Sequence, residues 1–133
     1  MPIDWPEGFD RTPPERREPY PHNFRVSRRD AFENILTQLK RMQGASNVRI
    51  SSEAEHLTRD IDVPRADASP DDPGVVVRFE RDSKEYVLPC DRWSSLRDNA
   101  QAIAKYVEAK RALDRYGVKT YEDEFEAQKV RVD

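Results

Sequence analysis

The chain has 133 residues and a net charge of −3, with 36% apolar and 37% charged residues. That length suits one domain with a modest core, and so small a net charge argues for neither an acidic nor a basic partner overall. A single cysteine excludes an internal disulfide and a multi-cysteine metal centre, so a reducing, cytoplasmic setting is expected. No stretch approaches the ~18 consecutive apolar residues of a membrane helix. The start "MPIDWPEGFD" also lacks the basic and apolar parts of a signal peptide, so no membrane role is expected. The 17 arginines against 6 lysines fit a GC-rich, salt-adapted source, although −3 is mild for a strong halophile.

Residues 1–26 hold six of the ten prolines. Proline fixes φ and removes a donor, so this segment reads as an extended arm and not as a helix or inner strand. Its aromatics Trp5, Phe9, Tyr20 and Phe24 predict an arm strapped over the domain, or one held ready for a partner. Ser27 then stands as N-cap with Asp30 three positions on. Phe32, Ile35, Leu36, Leu39 and Met42 recur at helical spacing before Gly44, which predicts a helix over 28–43.

Val48-Arg49-Ile50 is a short strand candidate. Residues 51–73 carry seven acids against two arginines and no helical stripe, which predicts a loop with at most a brief edge strand near Leu57 to Val63. Val75, Val77 and Phe79 alternate with Val76, Arg78 and Glu80, and Tyr86, Leu88 and Cys90 alternate with Val87 and Pro89. With the polar turn Arg81-Asp82-Ser83-Lys84 between them they form a hairpin. A second helix starts near Ser95, again with an acid, Asp98, at the third position. It carries Leu96, Ala100, Ile103, Tyr106, Val107 and Leu113 as its stripe and stops at Gly117. Lys110 can pair with Asp114, and Glu108 with Arg111.

These elements predict an α+β fold: a small antiparallel sheet of a hairpin plus one or two short strands, covered on one side by two helices. The expected organisation is the arm at 1–26, a core domain at 27–118 and a polar tail or linker at 119–133.

Candidate chemistry is sparse. In "PCDRW" (residues 89–93), Cys90 falls in phase with Tyr86 and Leu88 and reads as a small buried hydrophobe. As a nucleophile activated by Arg92 it would need a base, and only His22 and His56 exist, both far off in irregular segments. Asp60, Asp62, Asp67, Asp71 and Asp72 do not match a calcium loop, which needs a central glycine and a terminal glutamate. Neither catalytic nor metal-ligating residues, nor a cofactor, are expected.

The main polar feature is Arg11, Arg16, Arg17, Arg25, Arg28 and Arg29, a local +4 over 11–29 once Glu15 and Glu18 are counted. Tyr20 and Phe24 add stacking surfaces, and Arg28 and Arg29 sit at a helix start that favours phosphate. The competing reading pairs these arginines with Asp10, Glu15, Glu18 and the acidic loop, locking the arm down.

Three blocks, "WPEGFDRTPPERR", "DDPGVVVRFERDSKEYVLPCDRW" and "RDNAQAIAKYVEAKRALDRYG", resemble an uncharacterised module. It is found in haloarchaea and in bacterial phages or other mobile elements, often ahead of a J-domain. The resemblance implies no catalytic or binding residues. A J-domain needs a His-Pro-Asp triplet, which this chain lacks, so co-chaperone activity is not expected of this polypeptide. The expected function is a non-catalytic interaction or adaptor module of an archaeal or phage-related element, with a protein partner. The alternative is a nucleic-acid-binding accessory protein for replication or recombination, meeting DNA or RNA through the arginine series. The residues expected to meet the partner are Trp5, Arg11, Arg16, Arg17, Arg28 and Arg29.

Overall fold

The computed structural model describes residues 3–21, 24–53 and 71–118. The expected edge strand near Leu57 to Val63, both histidines and the tail 119–133 lie outside the described residues. In chain order the elements are helix α1 (Arg28–Arg41), strands β1 (Ala45–Ser52), β2 (Val75–Arg81) and β3 (Lys84–Cys90), and helix α2 (Leu96–Arg115). The strands form one antiparallel sheet in the order β1-β2-β3, the α+β arrangement that the sequence predicts.

Both helices start where a serine can cap them. Ser27 Oγ accepts from Asp30 N at 3.0 Å, and Ser95 Oγ accepts from Asp98 N at 3.1 Å. Each satisfies one of the backbone donors that a helix start leaves orphaned. α1 ends two residues before the predicted 43, because Met42 is already extended and Gly44 takes the left-handed φ of +84° that turns the chain into β1.

β1 spans eight residues where the sequence predicts a strand of three. Its pairing with β2 gains one extra residue between Ser46 and Arg49, where Asn47 adopts φ +49°. This bulge shifts the period-two pattern and so hides the strand from a reading of alternation. The hairpin needs no such device. Asp82 and Ser83 both have positive φ, the backbone of a two-residue turn whose twist suits its strands, and the β2–β3 register is unbroken.

The core lies between the helices and one sheet face. Phe32, Ile35 and Leu39 of α1, Met42 just after it, and Leu96, Ala100, Ile103, Ala104 and Val107 of α2 pack on Ile50, Val75, Val77, Phe79, Tyr86 and Leu88. Burial of such side chains contributes about 1.5–3 kcal/mol each before the entropy of ordering is subtracted. The helices run side by side in the same direction: Asn34 donates to Gln101 at 3.0 Å, and one turn on Gln38 accepts from Arg111 at 2.8 Å. Leu113, near the end of α2, is 47% exposed and does not complete the predicted stripe.

The opposite sheet face is not left to water throughout. Val76 and Val87 point away from the helices yet are fully buried. Arg78, two residues after Val76 and directly opposite Val87, donates to the carbonyl of Asp4 at 3.1 Å, so the arm reaches this face. No helix among the described residues is long and apolar enough to cross a membrane.

Candidate functional site

At the end of the molecule where β3 passes into α2, the connecting residues are organised by two side chains. Asn99 is fully buried. Its Oδ1 accepts from Trp93 N at 2.9 Å and from Cys90 Sγ at 3.4 Å, and its Nδ2 donates to the carbonyls of Pro73 (2.7 Å) and Trp93 (3.0 Å). A primary amide offers two donors and one two-fold acceptor, so this one is fully used. Burial pushes the Cys90 thiol up to about 11; the Arg92 N–H opposes that shift and the neighbouring Asp91 charge adds to it. At neutral pH Cys90 is a protonated thiol bound to an amide, the opposite of an activated nucleophile.

Asp91 is the second organiser, 4% exposed. It accepts from Arg11 Nε at 2.7 Å, Arg17 Nη2 at 3.3 Å and the backbone N–H of Thr12 at 3.0 and 3.2 Å. Pro13 and Pro14 explain how two arginines six positions apart reach one carboxylate. They pre-set the backbone for a single 3₁₀ turn over Pro14–Arg16, which folds Arg17 back toward Arg11. Arg11 also reaches Asp72 Oδ1 at 2.7 Å, and its guanidinium lies 4.4 Å over the Trp5 ring, whose Nε1 donates to the carbonyl of Phe9. Partial burial pulls the Arg11 pKa down, but its bonds and charge attraction to Asp72 and Asp91 outweigh that and raise it. Burial pushes Asp72 upward, and Arg11 with the N–H of Gly74 more than reverses this, so its carboxyl titrates below the usual range. Gly74 packs closely here: a Cβ would sit 3.1 Å from Asp72 Oδ1 and 3.3 Å from Arg11 Nη2, so these side-chain ends would have to give by a few tenths of an ångström.

The arm continues along the same junction. Ser94 N donates to Glu18 O at 2.9 Å, and Tyr20 N donates to Asp98 Oδ2 at 3.2 Å. The Tyr20 ring stacks on Phe24 with centroids 4.0 Å apart and meets Trp93 edge-on at 4.9 Å. Compared with protein-family models, curated proteins and solved structures, the chain has no match.

The six residues expected to meet a partner therefore divide. Trp5, Arg11 and Arg17 are brought together and turned inward on Asp91 and Asp72. Arg16 points outward from the 3₁₀ turn and is exposed, with no ion pair among the described residues. Arg28 and Arg29 begin α1, away from this cluster, with Arg29 exposed and paired to Glu33 at 3.0 Å. The acids that hold the arm are not the expected Asp10, Glu15 and Glu18. They are Asp91, Asp98 through the Tyr20 N–H and, from the described part of the acidic segment, Asp72. Arg92 lies 5.0 Å over the Trp93 ring, and Asp98 receives Arg97 at 3.2 Å.

The other end of the helix pair holds a feature that sequence reading missed. A cleft of about 270 Å³ is walled by Arg41, Arg81, Arg111, Arg115 and Asp114, with Met42 and Gln43 completing it. Arg81 donates to the Gln43 carbonyl at 3.1 Å and meets Asp114 at 3.5 Å. The expected Lys110–Asp114 pair forms at 3.7 Å, whereas Glu108 meets Lys105 at 3.6 Å and leaves Arg111 to Gln38. The available signal was basic residues in the last turn of both helices, but that pattern ordinarily serves the helix dipole.

Proposed function

We propose that this chain is a non-catalytic interaction module, of the kind that the resemblance to archaeal and phage-related proteins implies. Its arm is a fixed part of the binding surface. The observation that carries this reading is the division within the arm: Arg11 and Arg17 are spent on Asp91, while Arg16 is held outward on a proline-braced turn. A side chain pre-positioned in this way loses less freedom on meeting a partner than one on a loose tail. Cys90, protonated and bonded to Asn99, supports a role without covalent chemistry.

Nucleic acid is the second reading. It is favoured by the exposure of Arg16 on the arm and of Arg29 at the start of α1, while Arg11 and Arg17 are neutralised by Asp91. Fluorescence anisotropy of short labelled single- and double-stranded DNA, titrated at several salt concentrations, separates the two readings. Phosphate contacts give an affinity that falls steeply with salt, and Arg16→Glu is then expected to weaken binding. Absence of binding at low salt retires the nucleic-acid reading. Pull-downs comparing the natural chain with Arg16→Glu then test the protein partner, and equal recovery of every partner would overturn the role of the arm.

A further inference from the structure

We propose that the cleft between the C-terminal ends of α1 and α2 binds a phosphate-bearing ligand. The site is independent of the arm and of the reading given for it. Four arginines line it from three elements: Arg41 from α1, Arg81 from β2, and Arg111 and Arg115 from α2. Complementing the helix dipoles accounts for Arg41 and Arg115 in the last turns. It does not account for Arg81, which comes from a strand, or for Arg111, which stands a full turn before the helix end.

The charge is not satisfied within the cleft. Among the described residues Asp114 is the single carboxylate in its wall, and it is shared between Arg81 and Lys110. The other bonds orient guanidinium groups without neutralising them, since the Gln43 carbonyl and the Gln38 amide are uncharged. Arg41 and Arg115 are exposed and have no ion pair among the described residues. Such an excess, in a concave site with protein walls, concentrates anions more strongly than the same charges on a flat surface.

The chemistry of the wall favours phosphate over a lone carboxylate. Guanidinium presents paired donors that match phosphate oxygens two at a time, and a tetrahedral anion can be gripped from several sides at once. The excess that remains after Asp114 suits a group bearing two or more negative charges. About 270 Å³ is enough for one or two phosphate groups but leaves the rest of a larger ligand outside. Tyr116 follows Arg115 directly and is 73% exposed, a ring on which a base could stack if the ligand is a nucleotide.

The test is calorimetric titration of the full chain at low ionic strength with inorganic pyrophosphate, then with a nucleoside triphosphate. Saturable binding of pyrophosphate is expected, weakened about tenfold or more in Arg41→Ala/Arg115→Ala. The same variant should keep the far-UV spectrum and melting temperature of the natural chain, and Arg16→Ala should bind as the natural chain does. Equal affinity for the two probes identifies phosphate alone as the recognised group. Tighter triphosphate binding that falls in Tyr116→Ala identifies a nucleotide. Failure to saturate with pyrophosphate at low salt overturns the proposal, as does binding that survives the double arginine variant.

Discussion

Where α2 begins, Arg11, Arg17 and Arg97 stand against Asp72, Asp91 and Asp98; where both helices finish, four arginines stand around one carboxylate of the described residues, Asp114. The residue type is the same at the two ends and its circumstances are opposite. At the first end the arginines are matched one for one, aimed at a buried carboxylate, and close the arm onto the domain. At the second they are in excess, partly oriented by neutral groups, and open to water. Arginine content by itself therefore says nothing about whether a surface binds. What decides is whether carboxylates from elsewhere in the chain arrive to neutralise it, and for Arg11 and Arg17 they come from residues 61 to 80 positions away.

The sharpest way to break this contrast is Asp91→Ala. It leaves Arg17 and the Thr12 N–H without their acceptor, and Arg17 Nε is buried without a partner even in the intact junction. Removing one partner of a buried pair costs about 3–5 kcal/mol, and the lower figure applies because Arg11 keeps Asp72 and is partly in water. Urea unfolding should show the loss, and limited proteolysis should cut the arm first. A change below about 1 kcal/mol would mean that the arm is held by something else.

Asn99→Ala comes next. It strands the Trp93 N–H and the Pro73 and Trp93 carbonyls in the interior. An expected cost of about 2 kcal/mol follows from the desolvation of such orphaned groups. It should appear in the same unfolding experiment, with faster alkylation of Cys90 as the local sign.

A smaller effect is carried by pH. The Asp72 carboxyl titrates lower in the folded protein than its usual value near 3.8. Its contribution is therefore complete above that value and is lost as pH falls through the lower folded pKa. Stability measured from pH 7 downward should lose this part only in acid, and Asp72→Asn should remove that part of the acid dependence. A loss centred near neutrality would contradict the assignment. At the open end the same measurements should show almost nothing: Arg41→Ala/Arg115→Ala is expected within about 0.5 kcal/mol of the natural chain. A large loss there would make those arginines structural and erase the contrast.

The sequence by itself determined both helices, their serine caps and the hairpin. Each rests on interactions that close within a few residues: a hydroxyl reaching the third N–H, apolar side chains recurring on one helical face, and alternation across a short turn. Asn99 could have been read too, since it interrupts the apolar stripe between Leu96 and Ile103 one turn after Ser95. Only the tertiary structure decided the length of β1, because the Asn47 bulge breaks the period on which a strand is recognised. It alone decided that Trp5, Arg11 and Arg17 face inward, and that Arg41, Arg81, Arg111 and Arg115 meet. Local structure is set by neighbours in the chain, whereas charges pair with whatever the fold brings within a few ångströms, and that distance is not written in the order of the residues.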